Sequence, residues 1–263
     1  MNRIKIEHFL FEISSVCNFR CRYCYFRQRQ FKKTLSTQEA KRILYILKKN
    51  YGVKTLGFTG GEPFCRNDLF EILKFSKKIG LKNAVGTNGS LIGDHIDNIK
   101  KYIDTLIVSY DGFSRFFSYI TQTDYYDKVE ENLLLLKNNK IKFGIHTNIV
   151  PQNLGQFEKI MEKIINFGAS FAQVGDIQAL ASKKDGRKIR KLILSQEQKE
   201  LLFKKILKFN KSKKGFILHH FIRLSDLKKC KNNLGGIKKY FSAFFVISPD
   251  GSVYPMVDTF SSQ

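Results

Sequence analysis

Apolar residues in this chain fall by turns into short continuous runs and into stripes of helical period. The runs His8–Ser14, Lys54–Phe58, Leu81–Gly86, Thr105–Ser109, Ile141–Thr147 and Ala169–Val174 predict six strands. Between the first two, Ala40, Ile43, Leu44 and Leu47 share one face of a helix opened by the capping box Ser36-Thr-Gln-Glu39. Asn67 is placed to cap a helix with Leu69, Ile72 and Leu73 inward, stopped by Gly80. A short helix follows over Ile92–Tyr102 and a longer one from about Asp124 to Asn138. The last carries Phe157, Ile160, Met161, Ile164 and Ile165 at helical spacing and ends at Gly168. These stripes read as core packing. Repeated strand–helix units imply parallel strands with right-handed crossovers. Six such units predict an α/β fold over residues 1–180, a partial (β/α)6 TIM-like barrel.

After Val174 the pattern changes. The stretch Ser182–Arg190 is basic and expected to be an exposed connection. Ser195-Gln-Glu-Gln198 can cap a helix to about Asn210, and Phe216–Ile222 is strand-like. The segment from Phe244 to Pro255 predicts a hairpin turning at Asp250-Gly251. Residues 181–263 are therefore expected to form a short C-terminal α+β extension ending in a β-hairpin. On a strand, His219 and His220 would face opposite sides, which does not favour a shared site. His146 is read as a core or surface histidine ahead of a catalytic one.

Composition narrows the function classes. With 263 residues, 43% of them hydrophobic, the chain can bury one sizeable core. No apolar run approaches a membrane span, and Met1-Asn-Arg-Ile-Lys does not read as a signal peptide, so a cytoplasmic protein without membrane contact is expected. The formal charge of +23 comes largely from lysine doublets such as Lys48-Lys49, Lys77-Lys78 and Lys100-Lys101. Many fall near expected helix C-termini, where cations meet the favourable end of the dipole. A composition rich in Lys, Asn, Ile and Phe also suggests coding bias from an AT-rich genome. Solvated helix faces are the favoured reading; an acidic partner (a peptide leader, a flavodoxin-like reductant or RNA) is the alternative. No aromatic–basic motif stands out, so nucleic acid is not the expected partner.

The five cysteines are odd in number and unevenly spaced, which argues against a disulfide framework. Three of them form Cys17-Asn-Phe-Arg-Cys21-Arg-Tyr-Cys24, directly after the first predicted strand. A cluster that only carries electrons takes four cysteines. Three would leave one iron open to a ligand from outside the protein, as catalytic zinc sites keep a position open. Zinc remains an alternative, although no fourth His or Cys lies close by in sequence.

Number and spacing resemble the CxxxCxxC signature of the radical S-adenosylmethionine (SAM) enzymes. Further segments match that family in order: Thr59-Gly60-Gly61-Glu62-Pro63 resembles its GGEP motif. Thr87-Asn88-Gly89 and Ser109-Tyr-Asp111-Gly112 are similar to its strand-end motifs. By themselves Gly-Gly, Asn-Gly and Asp-Gly are ordinary turn dipeptides; their order across residues 17 to 112 is what makes the match specific. The resemblance implies a six-unit partial barrel carrying a 4Fe-4S cluster on Cys17, Cys21 and Cys24. It also implies that SAM chelates the open iron and is split by one electron to a 5'-deoxyadenosyl radical, which abstracts a hydrogen atom. Gly60, Gly61, Glu62 and Pro63 would then serve the SAM amino group, and Ser109 its carboxylate. Thr87 and Asn88 would also face SAM, Asn148 would face the ribose or be a structural polar residue, and Tyr23 would border the adenine.

The hairpin segment Ile247-Ser-Pro249-Asp250-Gly251-Ser-Val-Tyr-Pro255 resembles the start of the auxiliary-cluster (SPASM or twitch) domain of peptide-modifying members. This chain departs from that pattern, because Met256 stands where a cysteine is expected. Cys230 alone holds no cluster; a radical-quenching hydrogen donor is the one catalytic role considered for it, and otherwise no catalytic residue is identified. Cys65 is expected to be a small packed residue. The resemblance favours a peptide or protein side chain as substrate, with a small metabolite as the runner-up and flavodoxin or ferredoxin as reductant. A catalytically inactive binding subunit and a zinc-binding RNA adaptor are the rivals from other classes.

Overall fold

The computed structural model describes residues 8–24, 26, 31, 33–177, 189–212, 216–220 and 244–256. Cys230, Gly235 and Gly236, the basic stretch 182–188 and residues 221–222 lie outside them. The chain divides into two compact units, one drawn from Met1–Asn18, Arg29–Ile107 and Tyr240–Gln263, the other from Phe19–Gln28 and Val108–Lys239.

In the first unit β1 (His8–Ser14), β2 (Thr55–Gly60) and β3 (Lys82–Thr87) pair in parallel, with Phe11 opposite Phe58 and Thr55 opposite Lys82. Parallel neighbours need a long crossover. Here α1 (Thr37–Tyr51) and α2 (Leu69–Lys78) supply it. The first forms where its capping box stands: the Ser36 hydroxyl accepts from the Glu39 backbone, and the Glu39 carboxylate accepts from Ser36 N at 2.8 Å. Gly52, at φ 67°, closes it in the left-handed region. Ala40, Leu44 and Leu47 bury as expected, with Leu69, Ile72 and Leu73 of α2; Ile43 is half-buried. Asp68, not Asn67, occupies the N-cap of α2, and its carboxylate is held by Arg66 at 2.6 and 2.8 Å. The expected helix over Ile92–Tyr102 resolves into a 3-10 turn, Gly93–His95, followed by α3 (Ile96–Tyr102). Asn83 of β3 ties these helices together. It accepts from Ser76 at 2.6 Å and donates to the carbonyls of Leu73 and Tyr102 at 2.9 and 2.8 Å.

β4 (Thr105–Ser109) runs from the first unit into the second. There the order is α4 (Ser114–Thr121), α5 (Tyr126–Asn138), β5 (Phe143–Ile149), α6 (Phe157–Asn166), β6 (Phe171–Asp176), α7 (Gln196–Ser212) and β7 (Ile217–His220). β5, β6 and β7 pair in parallel, Ile145 opposite Ala172 and Ala172 opposite Leu218. β5 and β6 each begin two residues later than their apolar runs. α4 is the element absent from the expectation. It buries only Phe117, Ile120 and Thr121, too few for a helical period to emerge, and ends on Gln122 at φ 56° where a glycine would have signalled the stop. α7 opens on its expected cap, with Ser195 N donating to Gln198 at 2.9 Å and Gln198 N to the Ser195 hydroxyl at 3.3 Å. Its Phe209 meets Phe157 of α6 edge to face.

β8 (Phe244–Ile247) and β9 (Val253–Met256) form the expected antiparallel hairpin, turning through Gly251 at φ 88°. They belong to the first unit. There β8 lies parallel to β1, with Phe9 opposite Phe245.

Candidate functional site

The cysteine loop leaves β1 at Ser14. In the first unit the end of β2 lies directly against it: Gly61 N donates to Ser14 O at 2.8 Å and Glu62 N to Val16 O at 2.7 Å. Gly60 sits at φ 118°, and a Cβ there would overlap the Ser14 carbonyl oxygen; one on Gly61 would overlap that of Val16. The paired glycines thus make room for the backbone of the cysteine loop itself. Pro63 opens a short 3-10 turn that ends at Cys65.

Glu62 is 1% exposed, with both carboxylate oxygens occupied. Oε1 accepts from the Thr87 hydroxyl at 2.8 Å and from Phe64 N at 3.1 Å, and Oε2 accepts from Asn88 N at 2.7 Å. Burial pushes its pKa up to about 7, against the pull of those three hydrogen bonds. The carboxylate therefore fixes the end of β3. Asn88 in turn donates to Asn18 Oδ1 at 2.7 Å, stands 4.0 Å from the Cys17 sulfur, and accepts from the Ser90 hydroxyl at 2.7 Å. Asn18 completes the ring by donating to Ser90 at 2.8 Å. The Cys65 thiol accepts from the Asn18 backbone, and burial, with Glu62 second, raises its pKa.

The second unit holds the remainder of the loop. The free carbonyls at the C-terminus of α4 take it up: Arg20 N donates to Thr121 O at 3.1 Å and Arg22 N to Ile120 O at 2.8 Å. The Arg22 guanidinium donates to Tyr119 O at 2.7 Å and lies over the Tyr119 ring. Helix C-termini leave such carbonyls without intrahelical partners, so the loop's amides satisfy them. Phe19 packs against Phe117 and Tyr125 at 6.0 and 5.6 Å. Tyr23, between the second and third cysteines, donates its hydroxyl to Asp111. Asp111 is 4% exposed; it also accepts from Asn148 N at 2.7 Å. Asn153 then donates to the carbonyls of Asp111 and Asn148 at 2.8 and 3.0 Å and accepts from Val150 N at 2.8 Å. Burial raises the pKa of both Asp111 and Tyr23 and lowers that of His146, whose neighbours are Asp111 and Asn148.

Sequence reading named Cys17, Glu62, Thr87 and Asn88, which the first unit brings together, and Tyr23 and Asn148, which the second unit joins through Asp111. It left out Asn18, Ser90 and Asn153. Asn153 carries a signal in hindsight, as a short polar side chain just after a strand, but a turn residue looks the same. Ser109 is half-buried at the end of β4.

As a donor set the loop offers three half-buried thiols outside any disulfide, with the amide of Asn88 beside one of them, which is the chemistry an iron–sulfur cluster takes. Among the described residues no group of three His, Cys, Asp or Glu side chains is arranged for a metal ion. No helix among them is long and apolar enough to cross a membrane.

The family profile described as the Radical SAM superfamily matches residues 11–164. A probable GTP 3',8-cyclase of Saccharolobus islandicus is 31% identical over 152 residues, 57% of this chain and 47% of that relative. The chain thus spans about half the length of that curated relative. The structure of SuiB from Streptococcus suis bound to precursor peptide SuiA superposes with a TM-score of 0.77 at 17% identity, over 94% of this chain and 58% of SuiB. Native anSMEcpe with bound AdoMet and a peptide gives a TM-score of 0.73 at 21% identity, over 97% of this chain and 75% of the other. The fold is that of these neighbours: a parallel α/β sheet flanked by helices, the partial-barrel class expected from the strand–helix alternation.

Proposed function

The chain belongs to the radical SAM superfamily, and from that premise we propose that it holds a 4Fe-4S cluster on Cys17, Cys21 and Cys24 and binds S-adenosylmethionine beside it. When bound, the pair supplies a 5'-deoxyadenosyl radical that removes a hydrogen atom from the substrate; the protein supplies binding, orientation and exclusion of water. The observation that carries this reading is the cysteine loop, hydrogen-bonded through Ser14 and Val16 to Gly61 and Glu62.

In this reading the Gly60–Pro63 segment meets SAM with its backbone, because the Glu62 carboxylate is committed to Thr87 and Asn88. Asn88 offers an amide hydrogen to the Cys17 sulfur, a contact that tunes a cluster's potential. Ser109 and Asn148 serve the SAM carboxylate and ribose, and the Tyr23 ring borders the adenine. A reductant such as flavodoxin or ferredoxin, acidic against a chain of charge +23, delivers the electron. A cytoplasmic location follows from the need to keep the thiolates reduced.

The substrate we propose is a peptide or protein side chain. The hairpin at Pro249-Asp250-Gly251, with its resemblance to peptide-modifying members, supports it. The identity to a GTP 3',8-cyclase supports a small metabolite as the second reading. Anaerobic reconstitution tests the core of the proposal: about four irons per chain, a brown colour and 5'-deoxyadenosine released with dithionite are expected. Colourless protein unable to take up iron overturns it. Stimulation of 5'-deoxyadenosine release by peptides or by GTP separates the two substrate classes.

A further inference from the structure

Tyr23 is the residue whose surroundings go furthest beyond this reading. It lies between two of the proposed cluster ligands, and its hydroxyl is given to Asp111. That carboxylate is not otherwise free. Its second oxygen accepts from the backbone of Asn148 at 2.7 Å, and its own carbonyl is held by Asn153 at 2.8 Å. Asn153 is fully buried and also caps Val150. The whole arrangement rests on the turn after β5, through the buried side chains of Asp111 and Asn153. On its other side the same loop is clasped by the carbonyls of Ile120 and Thr121 at the end of α4.

We propose that Asp111 is a positioning residue for the cysteine loop, pinning the Tyr23 ring through its hydroxyl so that the segment from Cys21 to Cys24 has one orientation toward SAM. The inference rests on the proposed cluster and SAM binding. It has two consequences. Tyr23 presents its ring face, not its hydroxyl, to the nucleoside. Asp111 and Asn148 also act as one unit, because a single carboxylate joins the loop to the strand end that carries Asn148.

The test uses reconstituted full-length protein and reads SAM affinity from the change that SAM makes in the electron paramagnetic resonance signal of the reduced cluster. Tyr23→Phe keeps the ring and removes the hydrogen bond; Asp111→Asn keeps the shape and removes the charge. Each is expected to weaken SAM binding about tenfold, the factor that goes with one lost charge-assisted hydrogen bond. The double variant should be no weaker than the worse single variant, since both remove the same contact. Iron content, which collapse of the loop would lower, should stay near wild type in Tyr23→Phe, and the thermal midpoint should fall by no more than the loss of one buried hydrogen bond accounts for. Wild-type affinity in Tyr23→Phe overturns the proposal, as does additivity in the double variant. So does an effect of Asp111→Asn unmatched by Tyr23→Phe, which would mean that the carboxylate meets the ligand directly. If the wild-type protein itself takes up no iron, the cluster reading fails; if it binds cluster and SAM and the variants match it, the pin alone fails.

Discussion

The carboxylate of Glu62 is bound to the backbone of Asn88 at 2.7 Å, so the acidic residue after the paired glycines is spent on the neighbouring strand end. Its carboxylate is closed off by protein donors. This gives the residue a structural signature that can be measured apart from any chemistry.

Burial holds the Glu62 pKa at about 7, above its unfolded value. The folded state therefore binds the proton more tightly. Stability from this group is fully present below about pH 4.5 and falls as pH rises toward 7, where the buried carboxylate becomes charged in both states. Glu62→Gln should flatten the decline of unfolding free energy between those two pH values relative to wild type. Denaturant titrations at a series of pH values measure it, and parallel curves for both proteins would contradict the assignment.

Gly61→Ala should be costly because the new methyl meets the Val16 carbonyl, which is backbone and has no rotamer to change. A loss of at least about 2 kcal/mol is expected, in the range of forced backbone strain. The displaced loop should also lose iron on reconstitution. Thermal melts and iron assays on the same sample show whether the two losses travel together.

Asn153→Ala strands the Val150 amide and removes donors from the Asp111 and Asn148 carbonyls. Each buried group left without its partner costs about 1–3 kcal/mol. Chemical denaturation should register that cost. Asn153→Asp, which keeps an acceptor for Val150, should recover part of it.

Replacing Cys17, Cys21 or Cys24 by alanine should abolish the brown colour, whereas Cys65→Ser should keep it. Cys65 sits near the loop through the Asn18 amide, yet lies outside the spaced triplet. Iron counts on the four variants decide the matter: iron bound equally in all of them would remove the triplet from its proposed role.

Much of this was legible in sequence because it is local. The Ser36–Glu39 and Ser195–Gln198 caps, the Asp250-Gly251 turn and the alternation of runs and stripes are all set by residues a few positions apart. The Gly60-Gly61 pair was visible too, but not its reason, since the crowding atoms belong to Ser14 at the end of β1 and to Val16 in the cysteine loop. α4 stayed hidden for a similar cause. Its eight residues bury one short patch, and what makes the helix matter is the far-off Arg20 and Arg22 amides. The Asp111 side chain looked like half of a turn dipeptide, and only the folded chain shows Tyr23 brought to it.

The parallel pairing of Phe9 with Phe245 has a consequence for biosynthesis. On the ribosome, β1 emerges well before the strand that covers one of its edges, since Phe245 lies more than two hundred residues beyond Phe9. At roughly 5–20 residues per second, that edge waits on the order of tens of seconds. An uncovered apolar edge invites association with other nascent chains, so yield in the cell should depend on chaperones more than the finished protein's stability would suggest.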